Sequence, residues 1–222
     1  MESGTDPAAE RPEGSAGREA MMKFPLTMGF CMLMLVLASC GRGVLLPHYY
    51  AIEIPPAPER VASPTRFTGT VVVRQFEVPS YLRQGRIVYR ETPEEVGFYD
   101  YHRWAANPGE TVTAAMIDAL RSSRLFSFVK PYEGHNQEDY LMVGRLERLE
   151  EIDYGGHVRV QVRISAELVN ARTGATAWTG DEPVIVQVEN RNVASVVRAM
   201  DGAIEESIHR LVASLDQRLV AK

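Results

Sequence analysis

The clearest alternation in the chain places Val158, Val160, Val162, Ile164, Ala166 and Leu168 between Arg159, Gln161, Arg163, Ser165 and Glu167. Period two predicts a strand with one buried and one wet face. Residues 140–152 before it also read as extended and are joined to it through Gly155-Gly156, while residues 175–189 follow the Thr173-Gly174 turn. The three strands predict an antiparallel meander. Upstream, Thr70-Val71-Val72-Val73-Arg74-Gln75-Phe76 is a β-branched run suited to a central strand covered on both faces. Residues 87–90 and 96–101 flank Thr92-Pro93-Glu94-Glu95, which predicts a hairpin.

Asn107-Pro108-Gly109-Glu110 supplies an N-cap, a proline at the first helical position and an acid three residues after the cap. The helix it starts carries Val112, Met116, Ala119 and Leu120 on one face as far as Arg121-Ser122-Ser123-Arg124, and residues 125–129 return to strand chemistry before Pro131. From about Asn192, the residues Val193, Val196, Val197, Met200, Ile204, Ile208, Leu211, Leu215 and Leu219 recur every three or four positions. That stripe predicts a long amphipathic helix, in which Gly202 costs about 1 kcal/mol without breaking the pattern. The expected fold is α+β: one antiparallel or mixed sheet of about five to seven strands with two α-helices packed on one face, spanning residues 67–222.

The N-terminal part has a different character. Met21-Met22-Lys23 precedes an uncharged apolar run over residues 24–37, shorter than the about 20 residues a membrane-spanning helix needs. Leu37-Ala38-Ser39-Cys40 closes it and resembles the bacterial lipobox at every position. That resemblance implies a signal peptide over residues 21–39, diacylglycerol transfer to the Cys40 thiol, cleavage before Cys40, and further acylation by fatty acids such as palmitate. One acyl chain anchors only marginally, so two or three are needed for a lasting hold. Residues 1–20 are rich in Glu, Gly, Ser and Pro, a disordered composition placed ahead of a signal that belongs at an N-terminus, which points to Met21 or Met22 as the true start. After Cys40, residues 40–66 hold Pro47, Pro55, Pro56, Pro58 and Pro64 and read as an extended tether with a reach of up to roughly 80 Å. Tyr49-Tyr50-Ala51-Ile52 predicts a short edge strand that would shorten this reach.

Twenty-four basic against 29 acidic residues, with no long run of one sign, leave no electrostatic footprint for nucleic acid. Both cysteines, Cys31 and Cys40, fall in or at the end of the signal, so neither stabilises a core. Hydrolase, metalloprotease, thiol-redox and nucleotide-loop spacings are missing, and no metal or cofactor is expected. The histidines His48, His102, His135, His157 and His209 are scattered singly. The adjacent acids Glu150-Glu151 and Asp181-Glu182 read as solvated, because strand neighbours point to opposite faces. The most unusual local composition is Phe98-Tyr99-Asp100-Tyr101-His102-Arg103-Trp104, preceded by Tyr81, Arg83, Arg86, Tyr89 and Arg90. Arginine and aromatic enrichment marks protein interfaces. Tyr81, Arg86, Arg90, Arg103 and Trp104 are therefore the candidate partner-binding residues.

Four features are similar to those of the auxiliary lipoproteins of ABC-type transport systems, of the paraquat-inducible outer-membrane type. They are Tyr49-Tyr50 soon after the lipidated cysteine, residues 78–82 ahead of Ile87-Val88-Tyr89-Arg90, Arg103-Trp104-Ala105 leading into the helix, and the closing meander with its long helix. This chain continues with Ala106-Asn107-Pro108 where the family often has an acid before the proline. The resemblance implies a fold related to the N-terminal domain of the Tol-system β-propeller protein. It also implies a non-enzymatic part of a lipid-transport machine that includes an ABC permease, an ATPase and a periplasmic protein of the mammalian-cell-entry type. Homo-oligomerisation is left open. Gly41, where enteric bacteria use aspartate for inner-membrane retention, implies the periplasmic face of the outer membrane. A competing reading is an envelope-assembly or stabilising lipoprotein with no transporter partner.

Overall fold

The computed structural model describes residues 45–55, 67–134 and 138–220 of the 222. The chain divides after Leu45, and residues 46–222 form one unit. Its elements are β1 (His48–Tyr50), β2 (Phe67–Val73), a 3-10 turn (Leu82–Gln84), β3 (Arg86–Arg90), β4 (Gly97–Trp104), α1 (Pro108–Ser123), β5 (Phe126–Pro131), β6 (Tyr140–Ile152), β7 (Arg159–Asn170), β8 (Thr176–Gln187) and α2 (Val193–Val220). Among the described residues the fold is α+β, with eight strands in one mixed sheet.

β6 is the spine. One edge pairs with β7 along its whole length, and β7 pairs with β8, which is the expected meander. The other edge is shared: β2 runs parallel to the start of β6, a single bridge joins Glu77 to Arg145, and β3 runs parallel to its end. β5 adds to β2 in parallel, and β4 adds to β3 as the expected hairpin. β1 then closes that side by pairing with β4 in parallel, so the short edge strand predicted around Tyr49-Tyr50 joins the sheet. Seven of the eight strands fall within residues 67–222, as expected, and the eighth is β1, the edge strand that joins them from the segment ahead of that range.

Both helices lie on the face defined by the even residues of β7. Val160, Val162, Ile164 and Leu168 are fully buried there, beneath α2 with its Val196, Met200, Ile204, Ile208, Leu211 and Leu215, while α1 packs its Val112, Met116 and Leu120 into the same core from beside α2, over β5 and β6. α1 starts as its sequence dictates, with the Asn107 side chain accepting from Gly109 N at 2.9 Å. Thr113 Oγ1 accepts from Phe76 N at 2.8 Å and donates to Gly109 O at 2.6 Å, which pins the helix to the chain leaving β2. Phe76 in turn lies flat over Gly144, where any Cβ would collide with the ring. α2 opens on Asn192, whose side chain accepts from Ser195 N, and is fixed to β8 by Ser207 Oγ donating to Glu182 O at 2.9 Å.

A β-bulge at Glu147 sets the site. The register runs Leu146 to Ile164 and then Arg148 to Arg163, so Glu147 has no opposite residue. Before the bulge Met142, Gly144 and Leu146 share the helix-covered face; after it Leu149 and Glu151 do, opposite Val162 and Val160. The extra residue thus keeps Arg148 and Glu150 off the apolar face.

Candidate interaction site

Three groups of side chains gather where β1, β4, β3 and the end of β6 meet. The first is a lateral row. Tyr49 on β1 lies opposite Arg103 on β4, and Arg103 lies opposite Arg86 on β3. Like charges directly across a strand pair repel. Arg86 reaches Asp100 only at 3.7 Å, and no carboxylate among the described residues pairs with Arg103. Next in the row, Tyr50 lies opposite Trp104, whose backbone N–H donates to Gly85 O at 2.8 Å. Trp104 is 5% exposed and belongs to the core. Its indole N–H is buried without a hydrogen-bond partner among the described residues.

The second group is built around Glu150, whose side chain is fully buried. Oε1 lies 2.7 Å from an Arg148 guanidinium nitrogen and 2.9 Å from Arg90 Nε. The Arg90 contact is an ion pair without hydrogen-bond alignment, so Arg90 Nε and Glu150 Oε2 are both buried without a hydrogen-bond partner among the described residues. Arg90 also donates to Pro93 O at 2.9 Å, and Tyr81 donates to Glu147 O at 3.3 Å. Burial, and then the Glu150 charge, raise the Tyr81 hydroxyl above its ordinary value against the opposing pull of Arg148 and Arg90.

The third group is aromatic. Tyr99 donates to Glu151 Oε2 at 2.7 Å, with Tyr89 tilted against its ring at 5.1 Å. Burial, followed by the bond to Glu151 and the Glu151 charge, raises the Tyr99 hydroxyl, and burial raises the Glu151 carboxyl. His102 meets Tyr99 edge-on, stacks on His48 at 5.4 Å and shares a 3.0 Å hydrogen bond with the Tyr50 hydroxyl. Burial, and then His48, lower the His102 imidazole. An open cavity of about 420 Å³, lined by Tyr89, Phe98, Tyr99, Tyr101, Glu91 and Asp153 among others, lies in front of this cluster.

The five candidate partner residues therefore separate. Arg86 and Arg103 come together at the surface, Tyr81 and Arg90 meet at Glu150, and Trp104 lies beneath them in the core. Cys40 and the lipobox residues Leu37, Ala38 and Ser39 lie outside the described residues. Glu150 and Glu151, read from sequence as solvated, are both buried: the first by its arginines, the second because the bulge turns it to the core side, where Tyr99 meets it. Asp181, by contrast, is exposed and paired with Arg163. His48 and His102, singly placed along the chain, are neighbours in space, whereas His157 and His209 are exposed and His135 lies outside the described residues. Among the described residues no group of three or more His, Cys, Asp and Glu side chains could hold a metal ion.

Comparison with known proteins matches residues 50–212 to the model of a family described as the ABC-type transport auxiliary lipoprotein component. No curated protein matches the chain. Among solved structures, a Xanthomonas campestris protein of the DUF330 family is similar at 19% identity and a TM-score of 0.65, over 74% of this chain and 92% of that one. A second, uncharacterised protein is similar at 13% identity and a TM-score of 0.60, over 77% of this chain and 99% of that one. At these identities the likeness is one of fold.

Proposed function

The chain belongs to the ABC-type transport auxiliary lipoprotein component family, and from that membership we propose that it is a non-catalytic, lipid-anchored subunit of a transporter moving lipid between the inner and outer membranes. Acyl chains on Cys40 hold it on the periplasmic face of the outer membrane. Its sheet offers arginines to acidic groups of a mammalian-cell-entry-type protein, which works with the ABC permease and ATPase.

The observation that carries the docking part is the Arg103–Arg86 pair. Two guanidiniums held side by side against one surface carboxylate 3.7 Å away are an arrangement a solitary domain gains nothing from. A partner carboxylate would relieve the repulsion and form charge-assisted, bidentate hydrogen bonds.

The test is affinity purification of the full chain from its native membrane after mild crosslinking. Wild type should bring down the permease, the ATPase and the periplasmic partner. Arg86→Ala and Arg103→Ala should weaken recovery without lowering the melting temperature, and Cys40→Ser should abolish acylation and membrane retention. Recovery of envelope-assembly proteins with no transporter subunit would instead support the competing reading. Labelled palmitate in the Cys40→Ser variant would defeat the anchoring.

A further inference from the structure

We propose that the outer edge of the sheet formed by β1 and β4 rests against the lipid headgroups of the membrane that holds the acyl chains. This inference rests on the proposed lipidation of Cys40. It starts from where the chain first becomes fixed. β1 is paired with β4 from His48 onward, Ala105 N donates to Tyr50 O at 2.8 Å, and Tyr50 and His102 are hydrogen-bonded. Between Cys40 and His48 lie only residues 41–47, and a fully extended chain spans at most about 3.3–3.6 Å per residue, or about 25 Å in all. The proline-rich stretch around residues 55–66 follows β1 and adds nothing to that reach.

The edge closest to the anchor is also apolar at its surface. Leu46 is 75% exposed, Tyr49 63% and Tyr101 45%, all on or beside β1 and β4. Tyrosine combines an apolar ring with a hydroxyl that remains hydrated, and such side chains settle at headgroup depth. Among the described residues no helix is long and apolar enough to cross a membrane. The exposed Ile185 lies on β8, at the far edge of the sheet, and supplies an internal reference.

The experiment places the purified, acylated mature protein in vesicles of phosphatidylethanolamine and phosphatidylglycerol that contain brominated acyl chains, which quench nearby indoles. Tyr49→Trp, Tyr101→Trp and Ile185→Trp each introduce a reporter above the background of the buried Trp104 and Trp178. Mass spectrometry and retention through an alkaline wash establish acylation first; a chain without acyl groups defeats the anchoring reading itself. With acylation established, the reporters at positions 49 and 101 should be quenched at least two-fold more than that at 185. Equal quenching at all three, or none at 49 and 101, overturns the proposal. Protection of 49 and 101 that rises with protein density and ignores the brominated lipid also overturns it, and assigns the edge to a second copy of the chain.

Discussion

Arg90→Ala probes the most demanding arrangement in the sheet. The Glu150 side chain is 0% exposed, that of Arg90 11% and that of Arg148 40%. Removing one partner of a buried pair leaves an uncompensated charge and typically costs about 3–5 kcal/mol. Arg148 stays 2.7 Å from the same carboxylate oxygen, which sets the expected loss at the lower end, about 3 kcal/mol. Arg148→Ala removes the hydrogen-bonded but more exposed partner and should cost about 2 kcal/mol. The double variant Arg90→Met/Glu150→Leu replaces charge by hydrocarbon of similar length, and is expected within about 1 kcal/mol of wild type. The order of stability is then wild type and double variant, Arg148→Ala, Arg90→Ala. Urea denaturation followed by tryptophan fluorescence measures it, with an unchanged slope showing that the unfolding transition is comparable. A loss below 1 kcal/mol for Arg90→Ala, or a double variant no more stable than the single one, would refute the reasoning.

Gly144→Ala drives a methyl group into the Phe76 ring and should cost about 1–3 kcal/mol by denaturation, with Phe76→Leu in the same chain recovering part of it. Trp104→Ala should cost about 3–5 kcal/mol, and pull-downs at a temperature where the variant stays folded should show near-normal partner recovery. Asp201 on α2 accepts from the Glu53 backbone N–H, and burial, reinforced by the Glu53 charge, raises its carboxyl to about 6. Because the folded-state value is raised, this group favours folding below the ordinary carboxylate range, and the benefit is lost as pH rises through about 6. Asp201→Asn keeps an acceptor for Glu53, so it should raise the melting temperature at pH 7.5 and leave it unchanged near pH 4; a constant difference across that range would contradict the assignment.

Local chemistry made the meander, the hairpin and both helices legible. Alternation over residues 158–168 identifies a strand by itself, and Asn107-Pro108 fixes a helix start because the cap and the proline act within one turn. Pairing across distance was not legible. Nothing in the residues of β2 or β3 states that both run along one edge of β6, because parallel partners are chosen by the packing of the whole sheet. The bulge at Glu147 had the largest consequence. A strict period of two carried through β6 would give Arg148 and Glu150 the face of Leu146, and a single unpaired residue exchanges those roles for Leu149 and Glu151. The same limit hid the His48–His102 stack, since the two are brought together by one parallel strand pair. Of the arginine and aromatic cluster, composition gave the neighbourhood but not the depth: Trp104 is buried because its strand turns into α1 there, while Arg86 and Arg103 remain outside.

On the proposed acylation of Cys40, the docking of β1 changes what the anchor can do for binding. If residues 40–66 were a free linker, the domain could range up to roughly 80 Å from its point of attachment; with the chain fixed at His48 the span is about 25 Å. The accessible volume scales as the cube of that reach, so it falls about thirty-fold, and the local concentration of any site within the smaller volume rises by a similar factor. At 1.4 kcal/mol per tenfold, this is about 2 kcal/mol of binding free energy obtained without a new contact. The gain exists only for a partner whose site the domain meets while His48 stays within that span, and it becomes a loss for one farther away. Ile52 and Ile54, packed against the core, and the Asp201–Glu53 contact extend the fixed segment past β1, so breaking either of these alone would leave the pairing at His48–Tyr50 to hold the geometry. The lateral row of Tyr49, Arg103 and Arg86 begins at that fixed strand. On the proposed anchoring and docking, Arg103 and Arg86 would meet a partner at a height above the bilayer that the backbone itself determines.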